Sequence, residues 1–222
     1  ANTFGASAHK LAGSAYTLEQ VITAGIENCK RACAPYGALT ALDVGPLGEL
    51  LEPSGTLAFE DAVAEYARIV KADEAAGADL IFFETYTDLY ELKAALLAAK
   101  ENTHLPILAS MSFEAGGRTF TGPKEIFPMA KRLAEAVPGN FPVFVKPNAG
   151  LPRADGSGYD ITPQLFALQM KPYRELHLFA AGGCCGTTPE FIKLLNGTFA
   201  GCTPGRPAHR MPSVLCTPVD TV

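Results

Sequence analysis

The sequence lacks an excess of positive charge, a long apolar run and an N-terminal targeting pattern. Its 18 Lys and Arg residues are outnumbered by 23 Asp and Glu residues, and a mildly acidic chain without a basic stripe is a poor candidate for nucleic-acid binding. No apolar run reaches the roughly 18 residues of a membrane-spanning helix, so no membrane association is expected. The first residues, Ala1–Gly5, show no signal-peptide pattern and no starting Met. We therefore expect part of a longer, cytoplasmic protein.

The six cysteines include no Cys-x-x-Cys motif, which ranks redox chemistry last among the functions considered. The chain has 222 residues, of which 48% are hydrophobic, so it has enough apolar sequence for one domain without disulfides. Clustered thiols in a reducing compartment are more often metal-binding or catalytic. The cysteines are Cys29, Cys33, Cys184, Cys185, Cys202 and Cys216.

Helical and strand patterns alternate along the chain. Continuous apolar strands that alternate with helices predict a parallel α/β sheet, either open and doubly wound or closed as a (β/α)8 barrel. Only five strands are predicted, too few for a complete barrel. The predicted strands are Ala38–Val44, Asp79–Glu84, Leu105–Phe113, Phe141–Lys146 and Leu176–Ala181. The predicted helices are Leu18–Ala34, Phe59–Ala76, Asp88–Lys100, Lys124–Ala136, Thr162–Met170 and Pro189–Leu195.

The segment Gly182–Gly186, Gly-Gly-Cys-Cys-Gly, follows the last predicted strand. Thr188 and Pro189 then match the N-cap and first position of a helix. Functional groups gather at the carboxyl ends of parallel strands, and thiols at a helix N-terminus are expected to have lowered pKa values. Zinc prefers thiolate and imidazole ligands, so Cys184 and Cys185 are candidate zinc ligands. The alternatives are a phosphate cradle formed by the glycines, as in a phosphate-binding barrel enzyme, and two buried structural cysteines.

Two segments resemble the homocysteine S-methyltransferase family. They are Ala181–Glu190, which contains the double cysteine, and Phe144–Pro152, Phe-Val-Lys-Pro-Asn-Ala-Gly-Leu-Pro, which is followed by Tyr159-Asp160. The second segment is similar to the branch that includes cobalamin-dependent methionine synthase. Shorter resemblances extend over nearly the whole chain, at Ala1–Gly5, Phe83–Thr85, Gly117–Gly122 and Val214–Thr217.

The resemblance implies a (β/α)8 barrel and zinc-dependent methyl transfer to the homocysteine thiol, giving methionine. In the family, three cysteines hold the zinc, and two of them match Cys184 and Cys185. Homocysteine sulfur takes the fourth position. Glu84 matches the glutamate that holds the homocysteine ammonium, although a salt bridge or helix cap is the alternative. Asn148 is expected to shape the substrate pocket or to fix a turn.

The chain departs from the family pattern in two places. It begins at the end of the family's second strand, and Gly122 runs directly into Pro123 where a helix and the sixth strand are expected. We therefore predict one homocysteine-binding domain over residues 1–222, truncated at its N-terminus and internally near 122/123. It is an incomplete barrel without strands 1, 6 and most of strand 2. The third zinc cysteine, in a Gly-x-Asn-Cys motif, has no counterpart, so a non-catalytic remnant of the family is the alternative function.

Other thiols and imidazoles offer weaker metal ligands. Cys202 and Cys216 are possible substitutes for the third cysteine. Cys29 and Cys33 lie four residues apart on one face of a predicted helix. They form either half of a metal site or part of a buried helix face. The histidines His9, His104, His177 and His209 are scattered and are interpreted as structural or exposed.

The methyl donor is left open by the sequence. Methylcobalamin, methyltetrahydrofolate acting through cobalamin, and S-methylmethionine all fit the family, and the methionine synthase resemblance favours cobalamin. We expect any cobalamin-binding or folate-binding domain to lie elsewhere in the polypeptide or on a partner.

Overall fold

The computed structural model describes residues 1–115, 118–119, 122–137 and 141–205. They fall into two compact units, Ala1–Ser112 and a second unit that begins at Phe113. Each unit has a hydrophobic core of its own. His209, Cys216 and the Val214–Thr217 motif lie outside the described residues, as does part of the Gly117–Gly122 motif.

The first unit is a three-stranded parallel sheet covered by helices. The strands pair in the order β1-β2-β3, with Val44 opposite Phe83 and Phe83 opposite Ala109. One face of the sheet is buried, because Val44 and Phe83 are only 2% and 0% exposed and pack in the core with the helices. The elements are α1 (Leu18–Cys33), β1 (Ala41–Val44), α2 (Phe59–Ala76), β2 (Leu80–Tyr86), α3 (Leu89–Asn102) and β3 (Ile107–Met111).

Local sequence explains where the helices of this unit begin and end. Thr17 caps α1 by a capping box: its hydroxyl accepts from the N–H of Gln20, and the Gln20 side chain accepts from the N–H of Thr17. The side-chain oxygen of Asp88 caps α3 by accepting from the N–H groups of Tyr90 and Glu91. Gly77 ends α2 in the left-handed conformation, at φ 77°, which glycine adopts without steric cost.

The second unit pairs β6 with β7 in parallel and packs α5 and α6 beside them. Phe166 of α5 contacts Phe191 of α6 edge-to-face, with 5.4 Å between ring centroids. The carboxyl ends of the two strands carry the segments that contain Asn148 and the double cysteine. The elements are β4 (Glu114–Ala115), β5 (Arg118–Thr119), α4 (Pro123–Ala136), β6 (Phe144–Val145), α5 (Pro163–Met170), β7 (Ala180–Ala181) and α6 (Pro189–Thr198).

The structure confirms the alternating helix and strand pattern and a mixed α/β fold with parallel sheets. Within the described residues the five predicted strands form two separate parallel sheets, and the antiparallel pair β4–β5 was not predicted. β6 is also shorter than predicted: it covers only Phe144–Val145, and Phe141, the first residue of the predicted strand, is 61% exposed. Helix α6 continues to Thr198, beyond its predicted end at Leu195. Of the helices described, none is both long and apolar enough to cross a membrane.

Candidate metal centre

The double-cysteine loop, residues 182–188, is fixed by backbone hydrogen bonds to β6 and to the segment that follows it. The N–H of Gly182 donates to the Val145 carbonyl at 2.8 Å, and the N–H of Cys184 donates to the Pro147 carbonyl at 2.9 Å. Thr188 occupies the N-cap position of α6 in an extended conformation, as predicted, but its side chain makes no capping hydrogen bond. Because β6 and β7 are parallel neighbours, the double-cysteine loop and the segment that contains Pro147 lie at the same edge of their sheet.

Asn148 joins the two segments. Its side-chain oxygen accepts a hydrogen bond from the N–H of Cys185 at 3.0 Å, and the N–H of Ala149 donates to the Cys185 carbonyl at 2.9 Å. The peptide of Cys185 is therefore held on both sides. Of the predicted site residues, the structure brings Asn148, Cys184 and Cys185 together.

The two cysteine sulfurs lie 4.0 Å apart. Two sulfurs bound to one tetrahedral zinc at about 2.3 Å lie about 3.8 Å from each other. Cys184 is half-buried and Cys185 is exposed, and both are free thiols. The spacing of this pair therefore fits two positions of a tetrahedral zinc site.

Two residues that were not predicted as site residues lie beside these sulfurs. The ammonium group of Lys146 lies 3.4 Å from the Cys184 sulfur. The Tyr159 side chain lies beside the Cys185 thiol and influences its pKa. Lys146 lies in the segment Phe144–Pro152 that resembles the family, and Tyr159 lies in the Tyr159-Asp160 pair that follows it. The resemblance was therefore the sequence feature from which these two residues could have been predicted.

The expected lowering of the thiol pKa is wrong for Cys185. Partial burial of the sulfur raises the pKa of Cys185, and the neighbouring Cys184 thiol raises it further. Tyr159 and the charge of Lys146 act in the opposite direction but have smaller effects. Burial and the neighbouring thiol thus dominate the pKa of Cys185.

Gly186 lets the Tyr159 ring approach the loop. A Cβ atom on Gly186 would lie 2.3 Å from the ring, and the residue has φ 78°. Both the space and the left-handed conformation therefore require glycine here.

Glu84 belongs to the first unit and lies half-buried near the carboxyl end of β2. The next residue, Thr85, has φ 65°, a conformation that β-branched residues rarely adopt. The N–H of Thr85 donates to the Ser110 hydroxyl at 3.0 Å, where the register of β2 and β3 shifts. Residues held in such conformations cluster at functional sites.

The remaining described thiols do not complete a metal site. Cys29 and Cys33 lie with their sulfurs 3.8 Å apart on α1, and Cys202 is half-buried. Among the residues that the structure describes, no group of three or more His, Cys, Asp or Glu side chains is arranged to hold a metal ion.

Comparison with known proteins identifies the class to which this fold and site belong. The sequence model of the homocysteine S-methyltransferase family matches residues 1–125 and 120–199. The chain therefore belongs to the homocysteine S-methyltransferase family.

Particular relatives and solved structures agree with this class. The chain is 30% identical to methionine synthase of Mycobacterium leprae over 162 residues, 58% of this chain and 13% of that protein. It is 31% identical to methionine synthase of Mycobacterium tuberculosis over 172 residues, 62% of this chain and 14% of that protein. The match thus spans about a seventh of the length of these relatives.

The fold is similar to that of the homocysteine methyltransferase MmuM from Escherichia coli. The oxidized form matches with a TM-score of 0.64 and 20% identity, over 88% of this chain and 77% of that one. The metallated form matches with a TM-score of 0.60 and the same identity and coverage.

Proposed function

We propose that this chain transfers a methyl group to the thiol of homocysteine, giving methionine, with zinc held by Cys184 and Cys185. The observation that carries the proposal is the 4.0 Å separation of the two sulfurs, in a loop fixed at the carboxyl end of a parallel strand pair. This loop lies within the part of the chain that matches the family. A metallated form of the similar protein MmuM has been solved, which supports a metal in this fold.

The 4.0 Å separation of the two sulfurs fits a bound zinc ion. The described residues supply two ligands for it rather than three. Bound zinc supplies a Lewis acid that converts a coordinated thiol to a thiolate near neutral pH. Cys184 and Cys185 are the residues that would hold it. Asn148 fixes the peptide of Cys185 and so orients that sulfur.

Glu84 is the proposed partner of the homocysteine ammonium. A carboxylate at the end of a strand, half-buried, is stabilised by a cationic ligand. The next residue, Thr85, has the uncommon φ of 65°. Asn148 is proposed to shape the substrate pocket beside Cys185.

The domain is proposed to be one homocysteine-binding domain, an incomplete (β/α)8 barrel interrupted near 122/123. The family matches the chain in two segments, which meet over residues 120–125, and this supports an internal deletion at that point. The methyl donor is proposed to be methylcobalamin carried by another domain or a partner, since the curated relatives extend well beyond the matched region.

Zinc content of the purified protein tests the proposal. We expect about one zinc per chain by elemental analysis, lost in the Cys184→Ser/Cys185→Ser variant. The Cys29→Ser/Cys33→Ser variant is a matched control, because its thiols are 3.8 Å apart but lie on α1. It should keep the zinc.

Absence of zinc from the wild type after reconstitution under reducing conditions would contradict the proposal. The chain would then be a non-catalytic member of the family that lacks the third zinc cysteine. Methyl transfer to homocysteine, measured with methylcobalamin as donor, is the second test for a zinc-loaded protein.

A further inference from the structure

The two candidate ligands have different neighbours. Cys184 faces the ammonium group of Lys146 at 3.4 Å, whereas the uncharged side chain of Tyr159 packs against Gly186, next to Cys185. A lysine ammonium is a compact positive charge, and its effect on a neighbouring reaction depends on distance. The two sulfurs are therefore chemically inequivalent.

The backbone fixes Lys146 beside Cys184. The residues on both sides of Lys146 pair with the double-cysteine loop: the Val145 carbonyl accepts from the N–H of Gly182, and the Pro147 carbonyl accepts from the N–H of Cys184. Lys146 is also half-buried. Its proximity to Cys184 is thus set by the pairing of two segments rather than by a flexible surface side chain.

Tyr159 is fixed beside Cys185 in an independent way. The N–H of Asp160 donates to the Leu151 carbonyl at 3.0 Å, and the N–H of Ile161 donates to the Ala149 carbonyl at 3.1 Å. These bonds place residues 159–161 beside the segment that follows β6. The Tyr159 ring occupies the space next to Gly186 in the double-cysteine loop. The positions of Lys146 and Tyr159 are therefore fixed by different backbone hydrogen bonds.

We infer that Lys146 is a positioning residue of this site, which holds the Cys184 sulfur and makes approach to that sulfur selective for anionic reactants. The selected class includes a thiol substrate that carries a carboxylate. The inference rests on the proposed function only in treating the double-cysteine loop as the active site.

Alkylation of the metal-free full chain tests this charge. Iodoacetate is anionic and iodoacetamide is neutral, and the two are similar in size. With either reagent the Cys184 sulfur forms a bond to the reagent's methylene carbon, iodide leaves, and the thiol proton passes to solvent. The measured quantity is the ratio of the two rates at Cys184, in a Cys185→Ser background.

We expect Lys146→Met to lower this iodoacetate-to-iodoacetamide ratio about fivefold, the effect of one unit charge at roughly 4 Å in water. Lys146→Arg keeps the charge and should keep the ratio. Lys171→Met is a matched control, because Lys171 is exposed and lies at the end of α5. It should leave the ratio unchanged.

A second measurement uses the native lysine. The ratio at Cys184 should be higher in the folded chain than in the same chain unfolded in urea, where Lys146 no longer faces the sulfur. Equal ratios in the folded and unfolded chains, or in Lys146→Met and its parent, would overturn the inference. Zinc content is measured separately, so a protein without zinc that keeps the charge effect refutes the proposed function alone.

Discussion

The side-chain oxygen of Asn148 accepts a hydrogen bond from the backbone N–H of Cys185 at 3.0 Å. This bond crosses from the segment after β6 to the segment after β7. It fixes the peptide that carries one proposed zinc ligand.

Replacing Asn148 by Ala should weaken zinc binding. Loss of a group that orients a metal ligand typically costs 10- to 100-fold in metal affinity, and about tenfold is expected here. Competition with a chromogenic chelator measures the change. Asn148→Asp keeps the acceptor oxygen and should retain more affinity than Asn148→Ala, and equal zinc affinity in all three proteins would contradict the prediction.

Replacing Gly186 by Ala should destabilise the second unit. The added Cβ would lie 2.3 Å from the Tyr159 ring, and φ 78° is unfavourable for alanine. We expect a loss of more than about 1 kcal/mol in the free energy of unfolding, measured by urea denaturation. Gly182→Ala is the matched control, since no atom lies within 4 Å of a Cβ built there. Equal losses in the two variants would show that the ring contact is unimportant.

Asp73 should make the stability of the first unit depend on pH. This carboxyl group is fully buried, neither of its oxygens has a hydrogen-bond partner, and burial raises its pKa to about 7. Between its ordinary pKa and this raised value, the folded state binds more protons than the unfolded state. Its contribution to stability is therefore fully present at low pH and is lost as pH rises from about 4 to 7.

The slope from this one group is at most about 1.4 kcal/mol per pH unit. Urea denaturation at several pH values should show a shallower decline, and higher stability at pH 8, for Asp73→Asn. Glu101→Gln changes an exposed carboxylate on α3 and serves as the control. Parallel stability profiles for the wild type and Asp73→Asn would exclude a buried, protonated Asp73.

Thr17→Ala should destabilise α1 by about 1 kcal/mol, because it removes the acceptor of the Gln20 N–H. The midpoint of urea denaturation measures the loss. Thr17→Ser preserves the hydroxyl and should recover most of it. A Thr17→Ala variant as stable as the wild type would mean that the capping box is not maintained in solution.

The sequence by itself determined the features that depend on neighbouring residues. The helices begin close to their predicted positions, because caps such as Thr17 and Asp88 act within one turn. Pro189 opens α6 as predicted. The family signature also located Cys184 and Cys185, since both cysteines lie in one short glycine-rich loop.

Only the tertiary structure decided which groups face those sulfurs. Lys146 and Cys184 are 38 residues apart and meet because β6 and β7 pair in parallel. The lengths of the strands were decided in the same way, since an apolar run does not reveal where inter-strand hydrogen bonds begin and end. Caps and turns are specified by local interactions, whereas contacts between distant segments depend on the register in which the strands pair.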